Sequence, residues 1–191
     1  MSARQKYAGT PWLYDETTGD IVGVKDPDGS EFYFAREGNY GLFRDMSDQT
    51  ASVNTPTAIE FDTPLIQNGI VLANDTELVF ARGGKFNFTL TCRIENSDNK
   101  INNFYLWGRL NSADIEGTLT RTSVTESHGG SPGAIVLERS YFAPINAGDI
   151  IEVMWMVDNA GVILQASPAQ VGPPALPSGP SVGLAVYEVA T

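Results

Sequence analysis

Gly83-Gly84-Lys85-Phe86-Asn87-Phe88-Thr89-Leu90-Thr91-Cys92-Arg93-Ile94-Glu95 alternates without a break between Phe86 and Ile94. Phe86, Phe88, Leu90, Cys92 and Ile94 are apolar, and Asn87, Thr89, Thr91 and Arg93 between them are polar. A β-strand sends successive side chains to opposite faces, so this stretch is one long strand with a core face and a wet face. Cys92 is the single cysteine and lies on the apolar face. It reads as a small buried hydrophobe, and no intrachain disulfide is available to the chain.

The same pattern recurs outward from this strand. β-prone runs fall near 57–62, 69–73, 76–81, 101–110, 117–125, 134–142, 149–157, 161–166 and 181–189. Turn-forming residues separate them: Asn68-Gly69, Asn96-Ser97-Asp98-Asn99, Gly129-Gly130-Ser131-Pro132-Gly133 and Asn159-Ala160-Gly161. No segment carries a helical stripe. Many short strands punctuated in this way predict an all-β, antiparallel sandwich or jelly roll. Residues 37–47 read as a connector into it. Pro168 to Pro180 reads as a rigid surface loop, because proline lacks the donor a ladder needs. Its Pro174-x-x-Pro177 spacing also matches a polyproline ligand.

The amino-terminal part has a different grain. Residues 1–11 have no apolar period and read as an arm. Three short runs follow, at Trp12-Leu13-Tyr14, Ile21 to Lys25 and Glu31 to Ala35, separated by Glu16 to Asp20 and by Asp26-Pro27-Asp28-Gly29. This is a miniature meander, too small to bury a core of its own. Trp12, Leu13, Tyr14, Phe32, Tyr33 and Phe34 are therefore expected to pack on another molecule as an anchor. The predicted division is an arm and anchoring meander over residues 1–36 and a β-sandwich domain over residues 37–191.

Charge narrows the partners. Lys and Arg number 12 against 23 Asp and Glu, a formal net charge of -11. Binding nucleic acid requires cations that displace condensed counterions, so neither nucleic acid nor an anionic membrane is an expected partner. The longest apolar runs are too short to span a bilayer. The first residues carry two positive charges with no apolar run behind them, so the sequence predicts synthesis in a cytoplasm, or export by a route other than a secretory signal.

Two late strands break the alternation. In Ile150 to Val157 and in Val182 to Val189 both faces are largely apolar. Strands of that kind are covered on both sides. A second burial surface predicts subunit packing, with Met154, Met156, Ala185 and Tyr187 at the interface.

Three segments resemble the C1q/TNF-like jelly-roll superfamily. Gly84-Lys85-Phe86-Asn87-Phe88 is similar to its Gly-Val-Tyr-x-Phe strand. Asn146-Ala147-Gly148-Asp149-Ile150-Ile151-Glu152-Val153 resembles its Gly-Asp-x-Val segment. Ser181-Val182-Gly183-Leu184-Ala185-Val186-Tyr187 resembles its final strand, where an aromatic lies near a threefold axis. The collagen-like stalk of some members is absent, and the wording of the last strand is altered. The resemblance implies a homotrimer. The chain also resembles jelly-roll modules of bacteriophage structural proteins, with residues 12–34 similar to their docking segments. This implies a virion protein: a capsid decoration or head-fibre protein on the particle surface, bound to a capsid or tail protein. The alternative is a tail-fibre or receptor-binding module that recognises a host glycan, through loops 96–103, 126–133 and 168–180.

Residues with chemical potential are few. His128, the single histidine, lies beside Gly129-Gly130 without the ordered relay a nucleophile requires. One histidine and one cysteine far apart form no usual zinc set. Asp26 and Asp28 hint at calcium, but a Pro-Asp-Gly turn accounts for them. Asp114 with Glu116, and Asp149 with Glu152, have a spacing open to a glycosidase pair, which is the third reading; Asp149 also suits the turn before its strand. Tyr105, Trp107 and Tyr141 suggest either a sugar-stacking shelf or simple packing. No enzymatic activity, cofactor or metal is expected.

Overall fold

The computed structural model describes residues 12–14, 21–25, 31–33 and 38–190. Chain contacts divide it into two units, Met1–Glu37 and Gly38–Thr191. In the first, strands β1 (Trp12–Tyr14), β2 (Ile21–Lys25) and β3 (Glu31–Tyr33) form an antiparallel meander in the order β1-β2-β3. Leu13 is buried. Phe34, both turn sequences with Asp26 and Asp28, and the side chains of Trp12, Tyr14, Phe32 and Tyr33 lie outside the described part.

The second unit is a sandwich of two antiparallel sheets, with no helix among the described residues. Its strands are β4 (Tyr40–Asp45), β5 (Thr57–Ala58), β6 (Thr63–Asn68), β7 (Ile70–Ala73), β8 (Glu77–Phe80), β9 (Gly84–Asn96), β10 (Asn102–Leu110), β11 (Ala113–Asp114), β12 (Thr120–Val124), β13 (Gly133–Ile145), β14 (Ile150–Val157), β15 (Val162–Leu164) and β16 (Val182–Ala190). One sheet of six strands runs β13-β9-β16-β4-β6, with β15 on the end of β9. The other, of seven, runs β11-β10-β14-β8-β7, with β12 on β10 and β5 on β14. The chain passes between sheets at Gly69, where φ is +69° and a Cβ would strike the Asn39 side chain. Only glycine takes that backbone without strain.

All of the quoted stretch but its first residue belongs to β9, a thirteen-residue interior strand of the six-stranded sheet between β13 and β16. Phe86, Phe88, Leu90, Cys92 and Ile94 all point into the core. From the facing sheet come Phe80, Phe104, Leu106, Trp155 and Val157. Phe80 meets Phe86 edge-on at 4.8 Å between ring centres, and Phe104 leans on Trp155 at 5.7 Å. Burying each such side chain contributes about 1.5–3 kcal/mol, so this layer is the main driving force for the fold.

Two expectations are corrected and one strand is added. Residues 37–47 are not a connector: Tyr40–Asp45 is an interior strand, paired with β16 on one side and β6 on the other. Thr63–Asn68 is a strand that the hydrophobic pattern does not reveal; its Pro64 is tolerated because it lies at a sheet edge, where a missing donor costs little. The run near 57–62 is strand only at Thr57–Ala58, after which Ile59 and Phe61 plug the core as irregular chain.

Polar groups inside the sandwich are paired. Asp45 accepts from Ser47 N (2.9 Å) and from Gln49 Nε2 (2.6 Å), while Gln49 also holds Glu60 through both its amide atoms. Trp155 Nε1 is the exception, a buried donor with no acceptor among the described residues.

Candidate functional site

The proposed interface residues do not form one surface. Met154 and Met156 lie on β14 of the seven-stranded sheet, and Ala185 and Tyr187 on β16 of the six-stranded sheet, each on its outward face. Met154 is already covered by its own chain, being 3% exposed and flanked in register by Trp107 on β10 and Ala58 on β5. The second apolar face of β14 is therefore satisfied in large part within the chain itself. Met156 is half-buried beside Tyr105.

Tyr187 is different. It is 46% exposed and stands in register between Tyr40 on β4 and Asn87 on β9, with Phe142 of β13 next in the row. The adjacent row reads Ile66, Leu42, Ala185, Thr89 and Ser140. Two apolar patches thus share the outward face. One joins Tyr40, Leu42, Ile66, Ala185 and Tyr187; the other centres on Phe142 of β13, 70% exposed, while the equally exposed Val136 lies further along the same strand beyond Ser140 and Glu138. A polar seam between them is tied together by hydrogen bonds from Thr89 to Asn87 (3.1 Å) and between Thr89 and Ser140 (3.0 Å). β13 is also a sheet edge thirteen residues long, and an open edge of that length invites pairing unless covered.

On the opposite sheet the outward face carries a recess. Tyr105, Trp107, Asp114, Ile115, Glu116, Gly117, Leu119 and Met156 enclose a volume of 430 Å³. A two-residue hairpin at Asn111-Ser112, both residues with positive φ (49° and 68°), folds Asp114 back beside Arg109. The Asp114 carboxylate accepts from Trp107 Nε1 and from Arg109 Nε through the same oxygen, Oδ1, each at 2.9 Å. These two bonds, the indole's first, hold its pKa below the ordinary carboxylate value. Thr118 fixes the adjoining wall, accepting from Gly108 N (3.0 Å) and donating to the Ile115 carbonyl (2.7 Å). Tyr141 is not part of this shelf. It comes from the other sheet, and its hydroxyl donates to the Thr118 carbonyl at 2.7 Å, behind the wall.

Between the sheets lies a second cavity of 310 Å³, lined among others by Phe88, Leu90, Leu106, Ile151 and Leu184. Its lining is mostly apolar, with Glu116, Thr118, Tyr141 and Glu152 the polar side chains.

The remaining candidates are structural. His128 is exposed on a tight turn, bonded only through its backbone to Ser131. Asp149 accepts from Asn111 Nδ2 and from Asn146 N, each at 2.8 Å, which pins the turn ahead of β14; the Asn111 bond chiefly lowers its pKa. No cluster of three histidine, cysteine or acidic side chains suited to a metal lies among the described residues. The Pro168–Pro180 loop is folded back on itself by Ser167 with Gly179 and Gln170 with Leu176. Leu176 is thereby engaged, so the Pro174-x-x-Pro177 run is not a free extended strand.

No protein-family model matches the chain, and no curated protein matches it. Among solved structures it is similar to murine APRIL, crystallised at pH 5.0, with a TM-score of 0.50 over 80% of this chain and 100% of that one, at 12% identity. The sandwich is a jelly roll of the C1q/TNF-like kind. At that identity the likeness gives the fold, and function has to be argued from surfaces.

Proposed function

We propose that this chain is a structural protein that acts as a homotrimer, built through the outward face of the six-stranded sheet and held on a bacteriophage particle by its first unit. The carrying observation is the pair of unlike apolar patches on that one face. Unlike patches on one face can pair reciprocally across a twofold axis or head to tail; the trimeric reading takes the head-to-tail contact, which closes into a ring when the rotation allows. The Val136–Phe142 edge of one copy would sit on the Tyr40–Leu42–Tyr187 patch of the next, covering the open strand as well. Ala185 and Tyr187 belong to this interface, and Met154 and Met156 do not.

The first unit supports attachment. A segment of that size has too little apolar surface to serve as an independent domain. Three weak anchors on one trimer bind far better than one, through effective concentration. The reading that follows is a capsid decoration or head-fibre protein, displayed on the virion surface and made in the host cytoplasm.

Particle assembly tests this. Residues 38–191 expressed alone should fold and form trimers, yet be missing from purified particles that incorporate the full chain. Equal incorporation of both forms would refute the anchor, and a monomeric 38–191 would refute the trimer.

A further inference from the structure

We infer that the recess on the seven-stranded sheet is a binding site for a neutral hexopyranose unit of a glycan, with Trp107 as stacking platform and the free oxygen of Asp114 as hydroxyl acceptor. The inference stands on a different sheet from the trimer face and does not depend on the particle reading.

Four observations converge. The first is orientation. Trp107 spends its one donor on Asp114 Oδ1, which fixes the indole against rotation while it lines the recess. A pyranose presents a face of polarised C–H bonds, and the electron-rich face of an indole is its natural complement. Tyr105 is less available, since the Arg121 guanidinium already covers its ring at 5.9 Å.

The second is unused bonding capacity beside that platform. Asp114 Oδ1 takes both internal donors, and no donor among the described residues is bonded to Oδ2. The side chain is 58% exposed, so Oδ2 is open to an arriving hydroxyl. Arg109 engages Asp114 through Nε from outside the recess lining and holds the carboxylate in place. A fixed acceptor beside an aromatic plane is the core of a sugar-recognition site.

The third is preorganisation. The wall from Ile115 to Leu119 is fixed to β10 by Thr118 and from behind by Tyr141, so little order has to be created on binding. The fourth is exposure without structural purpose: Leu119 at the rim is 64% exposed and supports no core. At 430 Å³ the recess lies within the size range of small-ligand sites. Asp114 and Glu116 both line it, which disfavours sialic and uronic acids and selects neutral sugars.

The test is a titration of the full chain with methyl β-D-glucopyranoside, methyl β-D-galactopyranoside and N-acetylglucosamine, with sialyllactose as the anionic comparison. The readout is the indole N–H resonance of Trp107. At least one neutral sugar should shift it saturably, with a Kd on the order of 1 mM for a single residue. Asp114→Asn keeps an acceptor for the indole but exchanges the free acceptor for a donor, and should weaken binding roughly tenfold with only a small fall in melting temperature, since the side chain is 58% exposed. Trp107→Phe, which lacks the reporting indole and is followed by calorimetry instead, should weaken it as well. A Trp107 signal unmoved by every neutral sugar, affinity unchanged in Asp114→Asn, or a response to sialyllactose alone would each overturn the assignment.

Discussion

Cys92 and Asp149 show how environment sets the behaviour of single side chains. Cys92 lies fully within the core, and burial pushes its thiol up to about 12. The native protein should therefore resist a thiol reagent near neutral pH and react only on unfolding; rapid stoichiometric labelling of the folded chain would show the core reading to be wrong. Asp149 goes the other way. Bonds from Asn111 and Asn146 favour its ionised form and depress its pKa from the ordinary 3.8. The unfolded chain then binds the proton more tightly than the native one. Its stabilising contribution is complete above the ordinary value and is lost as pH falls through the lowered one. Asp98 and Asp114 are depressed likewise, by Asn102 and Trp107 foremost, and act in the same acid window. Thermal midpoints followed from about pH 7 to about pH 2 should fall below about pH 4, and Asp149→Asn should flatten that limb. A limb of unchanged steepness would contradict the role given to this carboxylate.

At the scale of elements, close packing decides where sequence patterns succeed. Gly41 and Phe43 both face inward on β4, and a Cβ on Gly41 would fall on the Phe43 ring. Gly41→Ala should cost about 1–3 kcal/mol by overpacking, read as a lowered denaturation midpoint at constant slope. With Phe43→Val the two losses should sum to more than the double variant shows, since each relieves the other. The same pair explains why β4 was illegible. Its inward residues are Gly41, Phe43 and Asp45, one of them too small and one charged, so hydrophobic alternation is hidden. β9 was legible because from Phe86 to Ile94 every inward position is apolar and every outward one polar. β14 misled in the opposite sense: its outward Met154 resembles an assembly contact, yet Trp107 and Ala58 cover it within the subunit. The recess was only half legible. Trp107 and Tyr105 stand out as aromatics, but their coupling to Asp114 depends on the Asn111-Ser112 hairpin, and Tyr141 belongs to the other layer.

For the whole molecule, the central proposal is that three copies meet through the six-stranded sheet. The contact is apolar, so it should survive high salt, which screens the mutual repulsion of chains carrying -11 each. The most direct measurement is sedimentation equilibrium of the full chain at micromolar concentration. The account predicts three times the 20.6 kDa chain mass, retained in high salt and reduced to one chain by Tyr187→Asp with Phe142→Asp. A wild-type protein sedimenting as a single chain would contradict it, as would an assembly that the two outward-facing substitutions leave untouched.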